Sequence, residues 1–540
     1  MTTRHGGKIL GQRLARHGVD RVFSVPGESF LAALDGLYDL DIQNVVCRQE
    51  GGAAMMAEAD AKLTGRPGVL FVTRGPGATN ASSGLHVAMH DATPMVVFVG
   101  QVPLGHRDRG VFQEVNYRAL FGPLVKWVAE VERTDRIAEY VDRAFHLATS
   151  GRPGPVVLAL PEDVLSAEAE VQDAPVAAPV RRGVDSTVLA EMVDALSGAE
   201  RPMILAGGPL WGPEDGAKAA ELGRRLGAPV AVTFRRQDYV DNDHPNYAGD
   251  LGVGQNPKLA QRLGRADVVL LLGAELNDIT TRDFASLDRA APPVILQVAA
   301  EADMTSRVYP AHLAVVAEPG AVLDGLLRLL PDTEGADRGA AAARAEYEAW
   351  QQPFETPGTV KLEAVIGWLR ENAGPDTIFT NGAGNYAAFL HRYHRWRRPG
   401  TQLAPTSGSM GYGLPAAIAA KLRRPERTVV CLAGDGCLQM TIQELSTARQ
   451  HGADIIVVIA NNGRYGTIRM HQENHFPGRV SGTELFNPDY LQLARAYGGT
   501  GHRITETAQF GPAFEAARKG GLHLIELVLD EKMLSTTRNL

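Results

Sequence analysis

TVVCLAGDGCLQMTIQELSTARQHGADIIVVIANN, residues 428–462, reads as one complete strand–helix–strand unit. TVVCLA predicts a buried strand, Gly434-Asp435-Gly436 a tight turn at its carboxyl end, QMTIQELSTARQHG a helix, and DIIVVIA a second strand ending in Asn461-Asn462. A parallel pair joined by a crossover helix puts both strand ends on one edge, so the Asp435 carboxylate and the Asn462 amide are expected to meet there. Two hard oxygen ligands cannot cage a cation alone, but Mg²⁺ takes few protein ligands when phosphates and water complete its octahedron. A diphosphate is the natural partner. Gly434 and Gly436 let the backbone approach phosphates closely, and the helix start beyond them offers free N–H groups to negative charge. Singly, each piece is also what an ordinary turn uses.

The same alternation extends outward in both directions. VDRVFSV, PGVLFVT, PMVVFVG and PVVLAL come first, then PMILAG, APVAVT, DVVLLLG and PVILQV, with TIFTNG and HLIELVLD on either side of the central unit. Continuous apolar strands separated by helices predict an α/β fold of doubly wound parallel sheets. Residues 166–185 and 331–358 lack sheet-forming runs and read as linkers, the second part helical. Three domains are expected, over 1–168, 186–330 and 359–540. The first and third share a pattern. A strand at 69–73, a turn at Gly75 and Gly77, a helix near 79–90 and a strand at 95–99 are echoed about 360 residues later around Gly434 and Gly436. Ligands of such sheets sit beyond the carboxyl ends of the strands, where both turns fall.

At 540 residues the chain exceeds what one core supports. Hydrophobic residues at 44% and charged ones at 21% are those of a globular protein, and a net charge of -8 argues against nucleic acid or an anionic membrane as partner. Small molecules become the expected ligands. Cys47, Cys431 and Cys437 lack metal-type spacing and fit a reducing cytosol. No apolar run has spanning length, and the opening MTTRHGGKILGQRLARHGV lacks a signal-peptide core, so a cytoplasmic protein is expected. HRYHRWRRPG at 391–400 reads as surface or subunit contact, and ADRGAAAARAEYEAW as a solvated linker helix.

The spacing of GDG, 24 residues and NN resembles the metal-diphosphate motif of thiamine diphosphate enzymes, and QMTIQELSTA is similar to their acetolactate synthase branch. SGSMGYGLPAAIAA at 407–420, RQEGGAAMMAEADAKLTGRPGV at 48–69, and FVGQVP and FQE at 98–103 and 112–114 are similar to the same branch, in the same order. The resemblance implies pyrimidine-binding, central and diphosphate-binding domains, with thiamine diphosphate and Mg²⁺ as cofactors. It places Asp435, the Asn462 side chain and a backbone carbonyl at Arg464 on the metal, and Gly434, Gly436, Cys437 and Tyr465 beside the cofactor. Met410 would hold the cofactor bent, and Glu50 would hydrogen-bond the aminopyrimidine. An ordinary surface ion pair with Arg48 is the competing reading of Glu50, but the small apolar residues after it favour burial, which raises a carboxyl pKa toward neutrality.

The implied reaction is decarboxylation of a 2-oxo acid, pyruvate by default, with transfer of the fragment to a carbonyl acceptor. A simple 2-oxo acid decarboxylase or acyloin lyase is the alternative, and a regulatory nucleotide- or flavin-binding protein that has lost catalysis is a rival of another class. Because Glu50 and the diphosphate site lie on different domains, a homodimer or homotetramer with active sites between chains is implied.

Departures from the biosynthetic pattern leave the acceptor open. His471 stands where biosynthetic members carry a tryptophan, and Ile279, with Arg282 nearby, where they hold the acceptor carboxylate. FRRQDYVDND and GGPLWG replace the glycine-rich flavin segments, which weighs against FAD without removing it. Ser29, His86, His471 and Gln472 are weaker pocket candidates, and Gln113 a stronger one because its amide can donate to a developing oxyanion. His86 and His90 share a helix face, but no third ligand is placed for Zn²⁺. Lys126 is read as solvated.

Overall fold

A computed structural model describes residues 2–178, 180 and 182–540 of the chain. It holds three six-stranded sheets, each parallel throughout, covered by helices. In the first domain the order across the sheet is Gln43–Val46, Arg21–Ser24, Gly68–Val72, Met95–Gln101, Pro155–Pro161, Trp127–Glu130. In the third it is Gln402–Leu403, Ile378–Asn381, Val429–Gly434, Ile456–Asn461, His523–Val528, Thr500–Ile504. Counted along the chain, both run second, first, third, fourth, sixth, fifth. The likeness of the two Gly turns is thus a likeness of whole sheets. The middle sheet differs, running Tyr247–Leu251, Val230–Thr233, Pro202–Ala206, Val268–Leu272, Val294–Ala299, Leu313–Val316, the order of dinucleotide-binding folds. Its central strands, like those of the outer sheets, are buried along their length, so period-2 polarity is absent from their sequences.

The outer domains share one core. Helix Glu50–Thr64, buried from Glu50 to Ala61, packs against helix Gly413–Arg423, and a single apolar cluster runs from Phe23 through Ala53, Ala416 and Ala417 to Leu524. Close approach of the two domains requires small residues: a Cβ on Gly52 would lie 2.8 Å from Glu444 Oε1 of the third domain. The Ala- and Gly-rich stretches GGAAMMAEADA and GLPAAIAA therefore owe much of their composition to this contact.

Four sequence expectations are corrected. Residues 166–185 contain a strand, Glu168–Val171, antiparallel to Thr2–His5, which ties the amino terminus down. Helix Ala340–Trp350 is docked rather than solvated: Ala343 and Tyr347 are buried, Tyr347 meets Tyr247 edge to face, and Glu346 pairs with Arg262. The basic stretch 391–400 lies at an internal junction, with Trp396 buried and Arg395 and Arg397 on Asp243 of the middle domain. The helix expected over QMTIQELSTARQHG breaks into Asp435–Gln439, a single turn at Ile442–Glu444 and Leu445–Gln450. Thr441 is the cause: it leaves the helical region (φ -136°) and donates its hydroxyl to Gly411 O at 2.7 Å. Among the described residues no helix is long and apolar enough to cross a membrane.

Candidate active site

A cavity of about 250 Å³ opens at the carboxyl ends of the third domain's strands. Gly434, Asp435, Gly436 and Cys437 form one wall, Met410 another, and Asn462, Arg464 and Tyr465 a third. Helices Asn385–Tyr393, Asp435–Gln439 and Gly466–His475 all begin at the cavity, so the positive ends of three helix dipoles converge on it. Ile468, Met533 and Leu534 supply an apolar face.

Asp435 is 3% exposed and accepts Gly436 N at 2.9 Å, Gly463 N at 2.9 Å and Asn487 Nδ2 at 2.8 Å. All are neutral donors, and no Lys, Arg or His pairs with it among the described residues. Burial raises its pKa above the ordinary carboxylate value, and the three donors offset this in part. Successive strand residues face opposite ways, which separates the two asparagines. Asn461 turns inward to Glu526 Oε1 and Asn487, while Asn462 faces the cavity with only a long bond, Nδ2 to Met533 O at 3.4 Å. Arg464 O accepts Gly466 N at 2.9 Å and keeps a second lone pair. A buried carboxylate without a counter-ion, a side-chain amide oxygen without a protein donor and a carbonyl make a hard-oxygen set that fits Mg²⁺, and the converging helix starts fit a diphosphate. Among the described residues no cluster of three His, Cys, Asp or Glu could hold a metal.

The glycines have a further reason. A Cβ on Gly436 would lie 2.5 Å from the Tyr465 ring, and one on Gly434 2.9 Å from the Tyr386 ring, so close packing of the wall itself demands them. Met410 sits between Gly408 (φ +69°) and Gly411 (φ +79°). Gly411 N donates to Cys437 Sγ at 3.1 Å, and so does the Tyr386 hydroxyl, at 3.1 Å. Burial pushes the Cys437 thiol up, so the sulfur anchors the Met410 loop in its protonated form.

Glu50 and Gln113 do not line this cavity but come together at a second place. Glu50 begins its helix, is 9% exposed and accepts Asn80 Nδ2 at 2.9 Å. Arg48 pairs instead with Gln450 and Val46 O. Gly77 leaves room for the carboxylate, since a Cβ there would be 3.2 Å from Glu50 Oε1. Gln113, held at φ +65°, packs on Gly75. The two lie at the Gly75–Gly77 turn, the counterpart of Gly434–Gly436 in a sheet of the same order.

Of the remaining candidates, Ser29 lies beside the Gly75–Gly77 turn, where its hydroxyl accepts Arg74 N at 3.3 Å, and His86, His471 and Gln472 do not line the cavity. Ser29 is buried with its hydroxyl on Thr73 Oγ1 at 2.8 Å, His86 is exposed with its ring 4.6 Å from His90, and Gln472 bonds Ser481 O. His471 is exposed, one helical turn beyond Thr467 and Ile468. Lys126 is not solvated: it donates to Leu147 O and Ser150 O, closing a helix end. Sequence reasoning missed Asn385, Tyr386 and Asn487. TNGAGN at 380–385 carries the signal for the first two, a glycine turn at a strand end; Asn487 has none.

Residues 4–120, 189–326 and 382–527 match three parts of one family, described as the thiamine pyrophosphate enzyme N-terminal TPP binding, central and C-terminal TPP binding domains. The chain is 31% identical to the acetolactate synthase isozyme 3 large subunit of Escherichia coli (strain K12), over 97% of this chain and 95% of that protein. It is also 31% identical to the mitochondrial acetolactate synthase catalytic subunit of Aspergillus candidus, over 98% and 81%. A solved structure, the Rhodococcus jostii RHA1 thiamine diphosphate-dependent 4-hydroxybenzoylformate decarboxylase, superposes with a TM-score of 0.85 at 24% identity, covering 98% of this chain and 100% of that one, which shows the common fold. The chain belongs to the thiamine diphosphate-dependent enzymes, in their acetolactate synthase-like branch.

Proposed function

We propose that the protein decarboxylates a 2-oxo acid, pyruvate by default, and joins the resulting fragment to a second carbonyl compound, using thiamine diphosphate and Mg²⁺. The observation that carries this reading is the pair of half-sites at equivalent turns of two alike sheets, Asp435 with Asn462 on one and Glu50 with Gln113 on the other. Each is incomplete by itself. Facing the first half-site of one copy with the second of another completes a site, which makes the working form a homodimer or homotetramer.

When bound, the cofactor supplies an electron sink for the loss of CO₂ from a 2-oxo acid. Asp435, Asn462 and Arg464 O would hold Mg²⁺, and the helix starts at Asn385 and Gly466 the phosphate oxygens. Met410, fixed through Gly411 and Cys437, would set the bend of the cofactor. Glu50 would hold or move a proton at the aminopyrimidine nitrogen, and the Gln113 amide would donate to a developing oxyanion. Ile468, Met533 and Leu534 would keep water from the reacting carbon, which favours ligation over protonation.

Simple decarboxylation is the second reading, and the acceptor side supports it. Ile279 and Arg282 line a separate cavity of about 320 Å³ beside Gly252–Gln255. A panel of 2-oxo acids and aldehydes, supplied with Mg²⁺ and thiamine diphosphate and scored by product mass, decides. A ligated 2-hydroxy product supports the first reading; acetaldehyde from pyruvate without acetolactate would replace it with the second.

A further inference from the structure

The middle-domain segment 234–243, which departs from the glycine-rich pattern, enters the junction of the two outer domains. Arg236 donates to Asp91 O at 3.2 Å, Gln237 N to Gln402 Oε1 at 2.9 Å, and Asp238 Oδ2 accepts three backbone N–H groups from Gly400, Thr401 and Gln402 at 2.8 to 3.2 Å. Every one of these groups is matched by a partner of suitable polarity. Arg235 is different.

Its side chain is buried, at 4% exposure, in a left-handed backbone conformation (φ +59°). The guanidinium donates to Gly382 O at 2.9 Å and to Pro405 O, both neutral, while its Nε has no partner among the described residues. No carboxylate lies within ion-pair distance among the described residues. The Phe234 ring, 4.7 Å away, offers weak compensation. The titratable neighbours are Tyr386, Cys437 and Tyr412, which burial keeps neutral, and Asp91, which Lys62 already holds. Burial pushes the guanidinium down to about 10, still charged at neutral pH. An unmatched buried cation in strained backbone is costly and needs a counter-anion.

The position says where that anion belongs. Gly382 is followed by Ala383 and Gly384, and Pro405 precedes Gly408 and Met410; all four of these neighbours line the 250 Å³ cavity. Mg²⁺ beside an ionised Asp435 offers one net positive charge, less than a diphosphate requires. We propose that Arg235 is a fixed counter-charge, supplied by the middle domain, for the anionic diphosphate held in this cavity. The proposal rests on the functional reading above. Arg235 touches neither phosphate nor substrate in it; it acts through the walls as a positioning residue.

The test is equilibrium binding to the full-length protein with Mg²⁺, followed by calorimetry, using thiamine diphosphate and thiamine as probes. Arg235→Met should weaken thiamine diphosphate by about ten-fold or more and leave thiamine within about two-fold, while Arg235→Lys keeps diphosphate binding within about three-fold. Equal losses for both probes would mean a merely structural role and overturn the proposal. Unchanged diphosphate affinity with a raised KM for pyruvate would overturn it too, because the charge would then serve a carboxylate. If Arg235→Met does not fold, Arg235→Lys decides alone: a preserved preference for diphosphate over thiamine supports the proposal, and a lost one overturns it. Wild-type protein that prefers neither probe would instead sink the functional reading, and the proposal with it.

Discussion

The Tyr412 hydroxyl donates to Glu58 Oε2 at 2.5 Å, tying the loop of Met410 to the helix that begins at Glu50. Glu58 also accepts Thr93 Oγ1 at 2.6 Å and pairs with Lys62 at 2.9 Å, and Lys62 reaches Asp91, which accepts Thr406 N at 2.7 Å. Residues of both outer domains thus meet in one buried polar network. Tyr412→Phe leaves a buried acceptor without its donor and should destabilise the protein by about 1–3 kcal/mol. Urea unfolding followed by circular dichroism checks this; an unchanged midpoint would mean the bond contributes nothing.

Asp91 is fully buried, which by itself would raise its pKa, but Lys62 and Arg236 outweigh burial and hold it down to about 2. Its folded value lies below the ordinary 3.8, so its stabilisation is complete above 3.8 and is lost as pH falls toward 2. Acid titration of wild type should therefore show loosening of the domain contact in that window by near-UV circular dichroism. Asp91→Ala, which leaves Lys62 with Glu58 alone and takes from the buried Arg236 its carboxylate partner, should cost about 3–5 kcal/mol at neutral pH.

Asn487 holds both Asp435 and Asn461 with one amide nitrogen. Asn487→Ala should weaken Mg²⁺-dependent cofactor binding by about 10–100-fold without removing any ligand. Calorimetric titration with thiamine diphosphate at fixed Mg²⁺ reads the effect directly. Wild-type affinity in the variant would show that Asp435 needs no such support.

The raised pKa of Asp435 has a consequence for metal binding. A cation binds the ionised form and must displace the proton, so Mg²⁺ affinity should begin to fall at a pH above the ordinary carboxylate range as the solution is acidified. Binding measured as a function of pH checks the onset. Asp435→Ala should abolish the Mg²⁺ dependence of cofactor retention altogether.

Glu50→Gln preserves the shape of the helix start and the contact with Asn80, so cofactor binding should change little while turnover falls by about 100-fold or more. Steady-state rates and cofactor titration on the same preparation separate the two effects. Full turnover in the variant would remove Glu50 from the proton path.

The local parts of this protein were readable in one dimension. Apolar runs, Gly turns and their spacing predict the buried parallel strands and the turns at Gly75–Gly77 and Gly434–Gly436, because strand burial and turn chemistry depend on residues near in sequence. The sequence by itself also carries Asp435 and Asn462 to one sheet edge, since a crossover helix leaves few other arrangements. Tertiary structure alone decided the rest. Thr441 breaks an expected helix because Gly411, thirty residues earlier, offers it a carbonyl. Strand Glu168–Val171 forms because the amino terminus lies beside it. Asn487 reaches Asp435, and Arg235 reaches Gly382 and Pro405, across 52, 147 and 170 residues of chain. Such contacts leave no periodic trace in either partner: each depends on where two separately folded pieces pack, and packing is set by the shapes of whole domains rather than by neighbours along the chain.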